Sequence, residues 1–157
     1  MTLPPNYTLH DGYPSVPEYL HLRAASGLTP KTPAQGAAVV QNSWFGCYIT
    51  YTSPTPENSE RSTATPTPVA MGRIISDGGW YFHIADMAVL PEHQRKGLGD
   101  IVLKRLLAYI KEHAAEGEPY INLLADPPGR KLYFKNGFVD SAPVSTGMVL
   151  DRRRVDI

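Results

Sequence analysis

Cysteine occurs once in the 157 residues, at position 47. That excludes an internal disulfide and suits a reducing compartment, read here as the cytoplasm. Cys47 lies in a strand-like run, where a buried and inert thiol is the default. An excess of either charge is also missing, since fifteen basic and fifteen acidic residues cancel. With no broad field, neither nucleic acid nor an anionic membrane is an expected partner. The closing Arg152-Arg153-Arg154 is too short to alter this and reads as a solvated tail. Long apolar runs are absent: nothing approaches the roughly 18 residues of a membrane span, and the polar, proline-rich start does not resemble a signal peptide. The five histidines show no ligand spacing, so no metal site is expected. What remains is one soluble domain over residues 1–157 with a moderate core.

Local patterns set the expected elements. Ser15-Val16-Pro17-Glu18 and Thr32-Pro33-Ala34-Gln35 both have capping-box spacing. They predict helices over 16–25, ending near Gly27, and from Pro33 to about Asn42. Aromatic and β-branched residues over Trp44–Tyr51 and Val69–Ser76 read as strands. Between them, twelve of the seventeen residues Thr52–Pro68 are Pro, Ser or Thr. Such a stretch cannot bury enough surface to offset its ordering entropy, so a mobile hairpin loop is expected. Asp77-Gly78-Gly79 signals a turn into a longer strand, Trp80–Leu90, which stops at Pro91. Leu98, Val102, Leu106 and Ile110 repeat at helical spacing. A short strand, Tyr120–Ala125, follows that helix and is expected to pair parallel to Trp80–Leu90. A short helix over 128–136 and edge strands at Phe138–Val139 and Met148–Asp151 complete an α/β (α+β) mixed sheet with helices on both faces.

One junction carries chemistry. Gln94-Arg95-Lys96-Gly97-Leu98-Gly99 links the apolar run Ile84–Leu90 to the amphipathic helix. The first N–H groups of a helix have no carbonyl partner, and the helix dipole adds partial positive charge there. Gly97 and Gly99 carry no side chain, so a bulky anion such as a diphosphate can come close to the backbone. Arg95 and Lys96 add positive charge. The spacing is neither that of a Walker loop nor that of a Rossmann fingerprint.

The stretch Asp86–Gly99 resembles the acetyl-CoA motif of the GNAT superfamily of N-acetyltransferases: strand, Pro, then [RQ]-x-x-G-x-[GA] and a helix, with Gln94, Gly97 and Gly99 matching. About thirty residues on, Leu132-Tyr133-Phe134-Lys135-Asn136-Gly137-Phe138 looks like that family's second signature, L-Y-x-K-x-G-F. The resemblance covers roughly Val69 to Asp151; residues 1–51 fit it only loosely.

It implies a GNAT-type acyl-CoA N-acyltransferase fold whose mostly antiparallel sheet splays between its fourth and fifth strands, and acetyl-CoA as the acetyl donor. Backbone groups of Met87, Ala88 and Val89 would bond the pantetheine arm. Gln94, Arg95, Lys96, Gly97, Leu98, Gly99 and Asp100 would hold the diphosphate, chiefly through amides. Arg130 and Lys135 are candidate contacts to the nucleotide end, with solvated surface charge the plainer reading. Tyr133 matches the tyrosine that protonates the leaving thiolate. A phenol, with a reference pKa of ~10 against ~8.5 for a thiol, starts protonated and can donate. Phe134 stands where an acidic or polar residue is commoner. His83 falls where related branches carry a glutamate or a histidine base, and imidazole titrates near neutrality. Asp86 is the other candidate base: its neighbours Ala85 and Met87 are apolar, and burial would raise its pKa. Strand alternation puts it on the opposite face from His83 unless a bulge intervenes.

In this fold the loop joining the first two helices lids the acceptor site; here it is Gly27–Lys31, with Leu28 and Pro30 as candidate substrate contacts. Trp44, Phe45, Trp80 and Tyr81 either extend an apolar wall or pack in the core. No acidic run is present to bind a basic peptide, so the expected acceptor is a small-molecule primary amine. A protein lysine or N-terminal acetyltransferase, and a non-catalytic acyl-CoA sensor, are the alternatives. The oligomeric state is left open, a homodimer included.

Overall fold

The near-continuous burial of the central strands and the alternation that opens the next one build the sheet, and two helices flanked by capping residues lead into it. The computed structural model describes residues 2–54, 65–151 and 153. The chain divides into two compact units, Met1–Leu123 and Leu124–Ile157.

The first unit opens with a strand that sequence patterning missed, β1 (Tyr7–Asp11), entered through Asn6 in the left-handed conformation (φ 68°). Two helices follow, α1 (Val16–Ala25) and α2 (Pro33–Asn42). Their N-termini are closed as expected. The Glu18 carboxylate accepts from the Ser15 amide at 3.0 Å, and Thr32 Oγ1 accepts from the Gln35 amide at 3.2 Å. Strands β2 (Phe45–Tyr51), β3 (Thr67–Ile75) and β4 (Tyr81–Val89), helix α3 (Leu98–His113) and strand β5 (Tyr120–Asn122) complete the unit. The sheet order is β1-β2-β3-β4-β5, antiparallel throughout except for the parallel β4–β5 pair. This is the expected mixed sheet.

Helix α3 lies along one face of the sheet and α1 along the other. The α3 face holds the core. Its buried stripe Leu98, Ile101, Val102, Leu106 and Ile110 meets buried residues of β2, β3 and β4. Cys47 points into that layer, where burial pushes its thiol up to about 12 and keeps it inert. Gly72 on β3 is required there, because a Cβ would sit 2.5 Å from Met87 Sδ and 2.8 Å from Val102 Cγ1. Arg105 clamps α3 to the edge strand through two bonds to Asp11, at 2.7 and 2.8 Å.

The second unit contains a 3-10 turn, Pro127–Gly129, running into the short helix α4 (Arg130–Lys135). Four expectations are corrected by the backbone. Strand β5 is three residues long and stops at Asn122. The helix expected over 128–136 is broken into the turn and α4. Phe138–Val139 and Met148–Asp151 form no strands, because two short runs separated by Pro143 and Gly147 offer too few ladder bonds; Val139, Met148, Val149 and Leu150 are exposed. Thr67 and Pro68, placed in the hairpin loop by composition, begin β3, while residues 55–64 of that loop lie outside the described residues. Among the described residues, no helix is long and apolar enough to cross a membrane.

Candidate functional site

The site is organised by an irregularity in β4. Along this strand Ala85 pairs with Arg73 and Ala88 with Met71, so Asp86 and Met87 together stand opposite Gly72. Two residues against one is a β-bulge, and Asp86 takes a left-handed φ of 54° to make it. The extra residue shifts the pleat by one. Met87 replaces Asp86 on the α3 face, packed at Gly72, and Asp86 turns to the α1 face. His83 and Asp86, expected on opposite faces without a bulge, therefore share one.

Beyond the bulge β4 also loses its neighbour. The parallel pairing with β5 runs only from Tyr81–Tyr120 to His83–Asn122, leaving the rest of β4 hydrogen-bonded to β3 alone. The Leu90 amide donates to Val69 at 2.9 Å, so alternation turns Ala88 toward β3 as well and leaves Met87 and Val89 facing the unpaired edge. On that edge the Val89 carbonyl accepts from Gln94 Nε2 at 3.1 Å.

Between β4 and α3 the chain makes a 3-10 turn, Pro91–His93, and then two left-handed residues, Arg95 (φ 61°) and Gly97 (φ 80°). Gly97 is the N-cap of α3, and no side chain caps the helix. The first intrahelical bond runs from the Ile101 amide to the Gly97 carbonyl, 3.1 Å. The amides ahead of it, including those of Leu98 and Gly99, open at the positive end of a sixteen-residue helix. Asp100 is buried in the first turn and accepts from Lys104 at 2.8 Å. The Lys96 ammonium donates to Tyr7 Oη at 3.1 Å and to the Glu92 carbonyl at 3.0 Å, so it braces the loop against β1. Tyr7 Oη also contacts His93 Nδ1, at 2.8 Å.

On the α1 face, Asp86 sits in a cage of donors. Tyr19 and Arg73 bond its Oδ2, the latter at 2.5 Å, and Arg23 bonds Oδ1. Burial alone would raise this carboxyl, as expected from Ala85 and Met87. The hydrogen bonds from Tyr19 and Arg73, with the charges of Arg73 and Arg23, outweigh it and hold the group below 3.8. The expectation that burial would make Asp86 a usable base is corrected: an anion held by three donors is reluctant to accept a proton. Tyr19, whose hydroxyl burial and the Asp86 charge push up to about 12, remains a donor.

His83 stands differently. Its Nδ1 is 2.7 Å from Oδ1 of Asn122, its register partner on β5. A carboxamide oxygen only accepts, so Nδ1 carries the hydrogen and Nε2 keeps the lone pair. With Nδ1 engaged in this way, Nε2 is the ring nitrogen left for proton exchange.

The Gly27–Lys31 loop follows α1. The Leu28 amide donates to the Arg23 carbonyl at 2.9 Å, and Arg23 Nη2 donates to the Thr29 carbonyl at 3.0 Å. Leu28 is half-buried and Pro30 exposed. Trp44 and Phe45 lie elsewhere: Phe45 stacks on Tyr109 of α3 at 3.6 Å, and Trp44 packs against Phe82 and Tyr109, so both belong to the α3 layer. Trp80 and Tyr81 sit exposed at the start of β4, in ring contact with each other.

In the second unit, Tyr133 is half-buried on α4, with its ring over Gly129 and edge-on to Phe138 at 5.9 Å. Burial, and secondarily the Asp126 charge, raise its phenol above 10. Arg130 is exposed, its Nε 3.5 Å from the Ala125 carbonyl, and Lys135 is exposed at the last position of α4. Among the described residues, no group of three His, Cys, Asp or Glu side chains could hold a metal ion.

Sequence reasoning missed Tyr19, Arg23, Arg73, Asn122 and Tyr7. Arg23 carried a signal, a cation in the last turn of an otherwise apolar helix face. For the others, the partner is set only by the pairing of distant strands.

The family model for the acetyltransferase (GNAT) domain matches residues 63–140. No curated protein matches the sequence. Among solved structures, a probable acetyltransferase of meticillin-resistant Staphylococcus aureus is 30% identical over 92% of this chain and 98% of its own, with a TM-score of 0.76. The ribosomal-protein-S18-alanine N-acetyltransferase of Escherichia coli is 16% identical over 87% of this chain and 79% of its own, TM-score 0.62. The glucosamine-6-phosphate N-acetyltransferase of Arabidopsis thaliana is also 16% identical, over 92% and 99%, TM-score 0.60. The last two bear on the fold alone. The domain match spans the bulged strand, the glycine turn and α3, and the staphylococcal relative extends the likeness over nearly the whole chain: this protein belongs to the GNAT family of acetyltransferases.

Proposed function

We propose that this protein moves the acetyl group of acetyl-CoA to the primary amine of a small molecule by direct attack. The observation that carries this reading is the run from a half-unpaired β4 edge into the uncapped N-terminus of α3. An extended pantetheine amide needs strand-edge partners, which Met87 and Val89 offer. A diphosphate needs unpaired amides at a positive helix end, which the Arg95–Asp100 turn offers. The residues present fit the donor.

Amide formation then requires two proton movements. The amine nitrogen must shed a proton as it attacks the thioester carbonyl carbon, and His83 Nε2 is the group suited to take it, directly or through water. As the carbon–sulfur bond breaks, the leaving thiolate must gain a proton, the role that falls to the Tyr133 phenol. The raised Tyr133 value keeps that proton in place before the reaction. Asp86 has no part in proton transfer in this scheme.

The acceptor class rests on the lack of an acidic run near the Gly27–Lys31 loop. The relatives whose names specify an acceptor act on an amino sugar phosphate in one case and a protein alanine in the other. Thiol release from acetyl-CoA, followed against panels of small amines and of peptides, tests the proposal. Turnover with small amines supports it. Turnover with peptides alone makes the protein a protein acetyltransferase, and tight CoA binding without turnover makes it a sensor.

A further inference from the structure

The cage around Asp86 raises a question that the proton chemistry leaves unanswered: why three donors converge on one carboxylate beside the strand edge. Both Asp86 oxygens are taken, Oδ1 by Arg23 and Oδ2 by Tyr19 and Arg73. With Asp86 itself on β4, the network joins four segments. Tyr19 and Arg23 are one helical turn apart on α1, Arg73 is on β3, and Arg73 Nη1 continues to Ser43 Oγ at the C-cap of α2, 3.0 Å away. The arrangement reaches one step further. Arg23 spends one terminal nitrogen on Asp86 and the other on the Thr29 carbonyl. A buried guanidinium thus spans from the bulge of β4 to the middle of the loop joining α1 and α2.

We propose that Asp86 and Arg23 form a latch that fixes the Gly27–Lys31 loop against the bulged strand, making both of them positioning residues for the acceptor amine. This rests on the reading that the loop borders the acceptor. Three observations converge on it. The Asp86 and Arg23 side chains are only 11% and 9% exposed, so their interaction is little screened, whereas Thr29 at the far end of the fork is exposed. The chain leaves α1 through Gly27 at φ 90°, where the Gly27 and Leu28 amides close the helix on the Ala24 and Arg23 carbonyls, and the Arg23 guanidinium reaches past that closure to Thr29. The bulge that re-aims Asp86 is the same one that precedes the unpaired edge at Met87 and Val89. The latch therefore sets the distance between the acceptor loop and the strand edge offered to the acyl donor.

A planar fork can hold two acceptors at once; an ammonium on a flexible stem is a point charge that cannot reproduce that span. Arg23→Lys keeps the buried positive charge for Asp86 and gives up the Thr29 carbonyl. Hydrogen exchange of the Gly27, Leu28, Thr29 and Lys31 amides in the free protein should quicken by about tenfold, the effect of losing one charge-assisted bond, with exchange in β3 and β4 unchanged. With a turned-over amine, its KM should rise by about the same factor, while kcat and the affinity for acetyl-CoA stay within about twofold. Asp86→Asn should show the same split and keep both limbs of the pH–rate profile; if it does not fold, Arg23→Lys carries the test. Unchanged loop exchange in Arg23→Lys overturns the latch. So does an equal rise in the KM of both substrates, and so does an Asp86→Asn enzyme that folds but loses kcat together with the acidic limb, which would make Asp86 the base. If the wild-type protein turns over no amine, the proposed function fails, and the exchange measurement still decides whether the latch exists.

Discussion

Asn122 presents its side-chain oxygen to His83 Nδ1 at 2.7 Å, across the short stretch where β4 and β5 are paired. That contact fixes which imidazole nitrogen is free. Asn122→Asp would place a carboxylate on the same nitrogen and favour the protonated ring. A base must be neutral to act, so the acidic limb of kcat/KM should move to higher pH, by about one unit. Replacing His83 by Gln should lower kcat by ~10²-fold. An acidic limb that stays in place in Asn122→Asp would remove His83 from the reaction.

Tyr133→Phe should lower kcat by ~10²-fold or more with the affinity for acetyl-CoA nearly unchanged, because only the donated proton is lost. The ring keeps its packing over Gly129 and against Phe138, so the thermal midpoint should hold. The phenol titrates above 10, so the group remains a donor across the neutral range and activity dependent on it should fall only at alkaline pH. Isothermal titration and steady-state kinetics on the same preparation separate binding from turnover.

The two glycines of the α3 turn should behave differently. Gly97 has φ 80°, so Gly97→Val puts a β-branched residue in the left-handed region at a cost of about 1–2 kcal/mol, and acetyl-CoA binding should weaken as well. Gly99 lies within the helix, where alanine is favoured over glycine by roughly 1 kcal/mol. Gly99→Ala should therefore raise the thermal midpoint slightly while weakening acetyl-CoA binding. Gain of stability together with unaltered affinity would show that the anion does not approach this part of the backbone.

Asp86 should also mark the acid limit of the fold. Its native value lies below the 3.8 of an ordinary aspartate, so the unfolded chain takes up its proton first. The stability it supplies is present above that ordinary value and is lost as pH falls through the native one. Urea midpoints measured from pH 7 down to about 3 should drop steeply below about 4 in the wild type. The drop should be shallower in Asp86→Asn, which has nothing to protonate there.

The sequence was legible where the information is local. Both capped helices, the α3 stripe and the glycine turn were set by residues within a few positions of one another. Strand β1 was not, since Tyr7–Asp11 is polar in part and gains its place only by pairing with β2. The site divides the same way. The turn that suits a diphosphate could be read from spacing, but the state of Asp86 depends on Tyr19, Arg23 and Arg73, up to 67 residues away. Apolar neighbours in the sequence suggested a raised value, and cations brought from α1 and β3 reversed it.

The bulge also governs what the strand would tolerate in length. Deleting Asp86 outright would restore one-to-one pairing with β3, return Met87 to step with Ile84, and keep the hydrophobic layer intact. A shortened protein of that kind should still fold, yet Arg23 and Arg73 would face each other with no anion between them. Natural or engineered chains that lose this one residue would then keep their architecture while two like charges push α1 away from the sheet.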